Sequence, residues 1–394
     1  MSKAIFLPYS YNYRNFVLTG YVDSLSKDDN ITVYIDSDIT LDKSHEVNGR
    51  ISFKYWSFKR NLIQKILYKL LKHRCYRLQN TETFRIKNKR QSWWSNIFVY
   101  PLPNSRCVFN ILMFLYQFSL VNARAKKEFY DYDELIFTMA HKPYEHAAFV
   151  NSSNSCTKTN ILHSWDVITT KGSFIFDYTR TLVWNRTNVI EYNRFIKNVF
   201  NFKGKVEIMF PWHFRKYFRE DWRPGEYVLY ATSVERLVDN EIGLVREIAT
   251  LCQKLGFQLK IRNHPQRNKL IANTKDGLVE VEKGVYSSRD NAQFKYSFFS
   301  DIHDDITGAF MVLSVASTIA LDALCCRKEV LFLTGLSDDD RSHDFYRYNH
   351  LATLIRSCDI PVVDGLNELT PHLLSAYENK DVPNTSIDKY MNYG

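Results

Sequence analysis

The chain has 394 residues, 45% hydrophobic and 24% charged, which places it among folded proteins of two or three domains and excludes a disordered or fibrous class. Its net charge of +9 is unevenly placed: residues 47–127 hold 17 Lys and Arg against a single acid, Glu82, so that window carries +16 and the remainder −7. Such asymmetry points to an anionic partner, either lipid headgroups or a polyanionic acceptor; no nucleic-acid-binding module pattern occurs, so nucleic acid is not expected.

No run of 18 apolar residues occurs, and MSKAIFLPYSYNYRNF has too short an apolar segment for a signal peptide, so neither a spanning helix nor secretion is expected. The seven cysteines are scattered, with no C-x-x-C pair, which argues against a disulfide or zinc framework and for a reducing cytoplasm.

In chain order, residues 3–7 (KAIFL) read as a first strand, PYSYNYRNF as a loop, 17–25 as a helix and 31–35 (ITVYI) as a second strand. This start is Rossmann-like but lacks G-x-G-x-x-G, which argues against a dinucleotide. Arg14 and Asn15 fall where the first loop meets the first helix, as cleft residues or as an ordinary helix start. Asp36-Ser-Asp38 follows a strand, where Asp and Ser are usual turn residues, so no metal is assigned to it. Residues 54–74 read as a basic amphipathic helix, with Leu62, Ile63, Ile66, Leu67, Leu70 and Leu71 on one stripe and Lys65, Lys69 and Lys72 opposite. With Trp93 and Trp94, this helix is expected to rest on the inner leaflet of a membrane as a peripheral attachment. Val108–Val121 reads as a buried core helix. Residues 134–139 and 158–162 are strands, the second ending in His163-Ser-Trp165-Asp166; Thr169 to Gly172 and the strand 181–184 follow. Asp166 is the best-placed carboxylate for a general base, with His163 as runner-up; otherwise Asp166 caps the next helix or fixes Lys171.

Residues 211–225, with Pro211 and Pro224-Gly225, read as a linker between an N-terminal domain, 1–210, and a C-terminal domain, 226–394. Residues 227–231 open a second βα unit, whose helix, 235–255, stops at Gly256. The strand 257–261 delivers Arg262 and His264 to its carboxyl end, and Pro265 restricts the backbone at His264. Both side chains suit a phosphate, or Arg262 pairs with an acid. Residues 308–333 read as strand, hydroxyl-rich turn, helix and strand. Ser314, Ser317, Thr318 and the helix N–H groups behind them suit a phosphate, and Asp322, one turn in, suits a ribose hydroxyl.

Several of these stretches match a pattern. SVASTIALDALCCRKEVLFL resembles the S-x-x-S-T-x-x-x-E-A loop of GT-B glycosyltransferases, with Asp322 in place of Glu. LKIRNHP resembles the R-x-H-P strand end of bacterial sialyl-, Kdo- and glycerophosphate-transferases. Arg14-Asn-Phe and HSWDVITTKG…LVWN resemble two signatures of bacterial surface-polysaccharide (capsule and O-antigen) transferases, with Val167 replacing Asn.

The resemblance runs from about residue 3 to 335 and implies an α/β GT-B fold: two facing Rossmann-like domains with parallel sheets and a cleft between them. It implies a metal-independent glycosyltransferase without a cofactor, using a nucleotide sugar as donor and a lipid-linked glycan as acceptor. The implied site comprises Asp166 and His163 for catalysis; Arg262, His264, Pro265, Ser314, Ser317, Thr318 and Asp322 at the nucleotide; and Arg14, Asn15 and Lys171 at the acceptor. A CDP-glycerol or polyol-phosphate transferase, a sugar-nucleotide 2-epimerase and an inactive membrane-bound assembly protein are the alternatives.

Overall fold

The computed structural model describes residues 1–36, 49–89, 104–138, 142–171, 174–219, 222–232, 238, 241–262, 279–282, 285–287, 298–315, 317–335 and 341–391. The chain divides into two units, Met1–His213 and Phe214–Gly394.

In the first unit seven strands form one sheet: β1 Ser2–Leu7, β2 Asn30–Ile35, β3 Ile51–Tyr55, β4 Glu134–Phe137, β5 Thr157–Ile161, β6 Arg180–Val183 and β7 Lys205–Ile208. All pairs are parallel, in the order β3-β2-β1-β4-β5-β6-β7. The central strands are continuous apolar runs because helices cover both faces. Side-chain alternation sends Ile5, Leu7, Val33, Ile35 and Ile136 to one face, against Tyr13, Phe16, Val17 and Tyr21. On the other face Phe6 stacks between Tyr34 and Phe137, at 5.2 and 5.1 Å between ring centres. Burying each such ring contributes about 1.5–3 kcal/mol.

Three expectations change here. The loop after β1 is largely helical: Ser10–Tyr13 runs into a π-helical turn, Arg14–Leu18, and Gly20, at φ +80, separates it from Tyr21–Leu25. The segment 54–74 is not one helix, because β3 extends to Tyr55 and the helix begins at Leu62. Asn61 sets that start, since its side chain accepts from the Gln64 N–H at 2.9 Å while Gln64 returns the bond to the Asn61 N–H at 3.0 Å. The core-helix segment forms Arg106–Leu120, but only Phe109, Leu112, Tyr116 and Leu120 are buried; its opposite side faces outward.

In the second unit β8 Tyr227–Ala231, β9 Gln258–Arg262, β12 Ala309–Ser314, β13 Glu329–Thr334 and β14 Val362–Asp364 form a parallel core in the order β9-β8-β12-β13-β14. β11 Val285–Ser287 adds to β9 in parallel, and β10 Val279–Glu282 runs antiparallel to β11. The expected helix 235–255 is described from Glu241 to Lys254, and Gly256, at φ +75, ends it. The expected linker contains a turn of 3-10 helix, Trp212–Phe214, and a short helix, Arg215–Arg219.

Each sheet grows outward from its first strand, then crosses back beside it, β4 next to β1 and β12 next to β8. Connections leave in opposite directions at that point, which opens a crevice at the carboxyl ends of the two strands. Both units therefore have Rossmann-type strand order.

Candidate functional site

In the first unit, side chains from four strand ends meet at the crevice. Asp36 ends β2 and pairs with Lys142, which follows β4, at 3.7 Å. The Lys142 ammonium lies 4.1 Å from the ring centre of Tyr9, just after β1. Tyr9 stacks on Tyr11 at 5.2 Å, and Tyr11 lies 5.7 Å from the ring of His163, at the end of β5. Burial above all, then the charges of Tyr9, Glu145 and Asp166, push the Tyr11 hydroxyl far above its usual range, so it stays protonated as a donor.

Beside this row a second group forms. Asn15, inside the π-helical turn, accepts from the Arg14 guanidinium at 3.0 Å. With His163, Trp184, Trp212 and His213 it lines a cavity of about 10 Å³, room for one water. Trp184 donates to the Leu162 carbonyl at 2.7 Å, and Trp212 to the Thr19 carbonyl at 2.6 Å, so both indoles are fixed. Burial first, and the Arg14 charge second, pull the His213 imidazole down to about 3, leaving it neutral near pH 7. Four stretches far apart in sequence, Arg14-Asn15, His163–Asp166, Trp184 and Pro211–His213, thus share one edge of the sheet.

Asp166 opens the helix Val167–Thr170. One carboxylate oxygen accepts from the Ser164 hydroxyl and the other from the Thr170 hydroxyl, the latter at 2.7 Å. The carboxylate therefore shapes the strand-end loop, and its charge is the smallest of those that raise the Tyr11 hydroxyl. Lys171 is set by a different neighbour: its carbonyl accepts from the Tyr76 hydroxyl at 3.0 Å, and the Thr170 carbonyl from Lys87 at 3.0 Å. The loop is thereby tied to the helices Leu62–Gln79 and Glu82–Lys89. Behind it, Asn188 donates to the Trp165 carbonyl and to Glu191, at 3.3 and 3.4 Å. Burial lifts the Glu191 carboxyl to about 7, the Asn188 bond opposing.

In the second unit the serine-rich turn lies at the carboxyl end of β12, beside β8, as expected for a crevice residue set. The Ser314 hydroxyl is buried and has no hydrogen-bond partner among the described residues. The Ser317 hydroxyl accepts from the Ile319 N–H at 3.4 Å, and Thr318 precedes the Ile319–Cys325 helix without closing it by a side-chain bond. Two other expected ligands have partners within the unit. Asp322 accepts from the Tyr217 hydroxyl at 3.2 Å, and Tyr217 stacks on His303 at 5.2 Å. Arg262 is buried against Asp305, which Lys260 also contacts at 2.5 Å. Strand alternation puts Lys260 and Arg262 on one side of β9, and the helix Phe298–Thr307 supplies the carboxylate there. Arg262 thus has an acid partner at the carboxyl end of β9. His264 and Pro265 lie outside the described residues.

Tyr9, Tyr11, Lys142, His213 and Glu191 escaped the sequence reading. The alternating tyrosines of PYSYNY, directly after an apolar strand, were a usable signal; so was His213 next to Pro211-Trp212. Lys142 and Glu191 carry none.

No family model matches the chain, and no curated protein sequence matches it. Among solved structures it is similar to the glycotransferase of kitacinnamycin (TM-score 0.49, 9% identity, covering 98% of this chain and 92% of that one). It is likewise similar to a UDP-N-acetylglucosamine 2-epimerase of Listeria monocytogenes (0.49, 9%, 100% and 91%) and to the wall teichoic acid polymerase TagF (0.49, 10%, 99% and 84%). TM-scores below 0.5 carry no weight for activity, and strand order remains the ground for the fold. That order makes the chain two Rossmann-type α/β units in tandem, the domain content of a GT-B architecture.

Proposed function

We propose that the protein is a glycosyltransferase that moves a sugar from a nucleotide-sugar donor to a lipid-linked surface-polysaccharide acceptor, of the capsule or O-antigen kind. The observation that carries this reading is the convergence, on the carboxyl edge of the first sheet, of the motif residues Arg14, Asn15, His163 and Trp184, which are far apart in the chain. That such residues meet only through folding, at the crevice end of a parallel sheet, supports a site there rather than a set of local turns.

In this reading the second unit holds the nucleotide, with its phosphates at Ser314, Ser317, Thr318 and His264-Pro265. The first unit holds the acceptor beside Tyr9, Tyr11 and Lys142. Asp166, or His163 beside it, takes the acceptor hydroxyl's proton. The freed oxygen bonds to the anomeric carbon, the bond from that carbon to the phosphate oxygen breaks, and the nucleotide leaves with the electron pair. Arg262, paired with Asp305 at the carboxyl end of β9, and Asp322, bonded to Tyr217, belong to the same proposed nucleotide set.

The test is a panel of CMP-, CDP-, UDP-, GDP- and dTDP-sugars, incubated with and without a lipid-linked glycan fraction. Nucleotide released only when acceptor is present supports transfer. An isomerised donor without acceptor assigns the protein to the epimerases, and binding without turnover assigns it to assembly proteins.

A further inference from the structure

In the first unit the helices Leu62–Gln79 and Arg106–Leu120 pack as neighbours, and the Gln64 amide donates to the Ser119 carbonyl at 2.6 Å. That bond sets the first turn of one helix beside the last turn of the other. Both helices turn apolar residues outward there. On Arg106–Leu120 the exposed side follows positions 107, 111, 114 and 118 and is as apolar as the buried one: Ile111 is 54% exposed, Phe114 66% and Phe118 72%. On Leu62–Gln79 the expected stripe is split. Leu71 packs inward, while Leu62, Ile63 and Ile66 remain 72%, 65% and 51% exposed and the polar Gln64 is buried instead. Exposed apolar side chains gathered at neighbouring helix ends mark an interaction surface.

Charge says with what. Lys65 and Lys69 are exposed and flank Leu62 and Ile66 on the same helix, and Arg124 and Lys127 are exposed just beyond the end of the other. Across residues 47–127 the sequence offers one acid, Glu82, against 17 cations. A protein partner or second copy of this chain would bring like charge or need to supply many carboxylates, whereas an anionic bilayer offers acyl chains for the apolar side and headgroups for the cations. No single described helix is long and apolar enough to cross a membrane: Arg106–Leu120 has 15 residues, about 22 Å of helix, and bends by 86° into Ala123–Phe129. The hydrocarbon core is about 30 Å thick.

We infer that the two-helix face of the first unit, centred on Phe114 and Phe118, inserts into the interface of an anionic membrane, with Lys65 and Lys69 at the headgroups. The inference does not depend on the donor or the reaction. It relocates the membrane-seeking element from the lysine-rich helix alone to its apolar neighbour.

Full-length protein is sedimented with phosphatidylcholine vesicles, with and without phosphatidylglycerol, at low and high salt. Wild type is expected to bind the anionic vesicles at least about tenfold better than the neutral ones, and to be released by salt. Phe114→Ser with Phe118→Ser is expected to stay in the supernatant with its melting temperature kept, since both side chains are already in water. Lys65→Glu with Lys69→Glu is expected to lose the preference for anionic lipid. Wild type that ignores anionic vesicles at low salt overturns the inference. So does binding that survives the double serine variant, which is electrostatic adsorption alone. So does sedimentation velocity showing a dimer that the serine variant dissolves, because a second copy then covers the face.

Discussion

At the scale of single residues, two carboxylates of the first unit differ in what surrounds them. Asp166 receives hydroxyl hydrogen bonds on both oxygens, at the carboxyl end of β5. If it is the base, Asp166→Asn lowers turnover about a hundredfold or more while nucleotide affinity is kept; a fully active variant moves the role to His163. Glu191 is enclosed, and burial lifts its carboxyl from 4.5 to about 7. Between those values the folded chain holds a proton that the unfolded chain has released. Its contribution is therefore harmless below about pH 4.5 and becomes unfavourable as pH rises to 7. At 1.36 kcal/mol per unit this is on the order of 3 kcal/mol. Glu191→Gln should gain stability relative to wild type by that order between acidic and mildly alkaline pH, measured by urea unfolding. A difference independent of pH would mean that Glu191 is solvated.

At the scale of elements, local chemistry and tertiary packing each set some boundaries. Asn61 and Gln64 close a capping box that was readable as N-x-x-Q, and it moves the start of the helix past the residues that β3 claims. Gly225 read as a turn residue. Its place in the fold is tighter: a Cβ there would lie 2.0 Å from the Ala309 carbonyl carbon, because Glu226 donates to the Gly308 carbonyl where β8 enters beside β12. Main chain on both sides cannot yield as a side chain would. Gly225→Ala should cost about 1–3 kcal/mol, or more, read as a lower urea midpoint with unchanged slope. An unaffected midpoint would show that the entry to β8 relaxes. The π-helical turn Arg14–Leu18 had no such signature; its Phe16 and Val17 pack in one core with Ile5, Leu7 and Val33.

At the scale of the whole molecule, the two units have separate cores, one around Ile5, Val33 and Ile136 and the other around Val228, Leu259 and Leu313. Their edges carry different chemistry: tyrosines, a lysine and imidazoles in the first, hydroxyls in the second. If the second unit holds the donor, a nucleotide at a hundred times its Kd should raise the opening free energy of β8, β12 and β13 by up to about 2.7 kcal/mol. Hydrogen exchange with CMP, CDP, UDP, GDP and dTDP in turn measures this. Protection confined to β1, β4 and β5 would exchange the roles of the units.

Sequence alone was enough for the two βα rhythms, the strand-end positions of His163, Arg262 and Ser314, and the concentration of cations before residue 127. These follow from apolar period, turn chemistry and composition, which are properties of neighbours along the chain. Which strand ends become neighbours was decided by the crossover from β3 back to β4 and from β11 back to β12, so Tyr9, Lys142, Trp184 and His213 reached the site only through the fold. The partner of a charge is likewise tertiary. Nothing local to Arg262 named its partner, and Asp305, arriving on a helix 43 residues later, supplies it. The outward side of Arg106–Leu120 was hidden for the same reason: a helix apolar all round has no period to show which side is covered, and only its neighbours leave Phe114 and Phe118 in water.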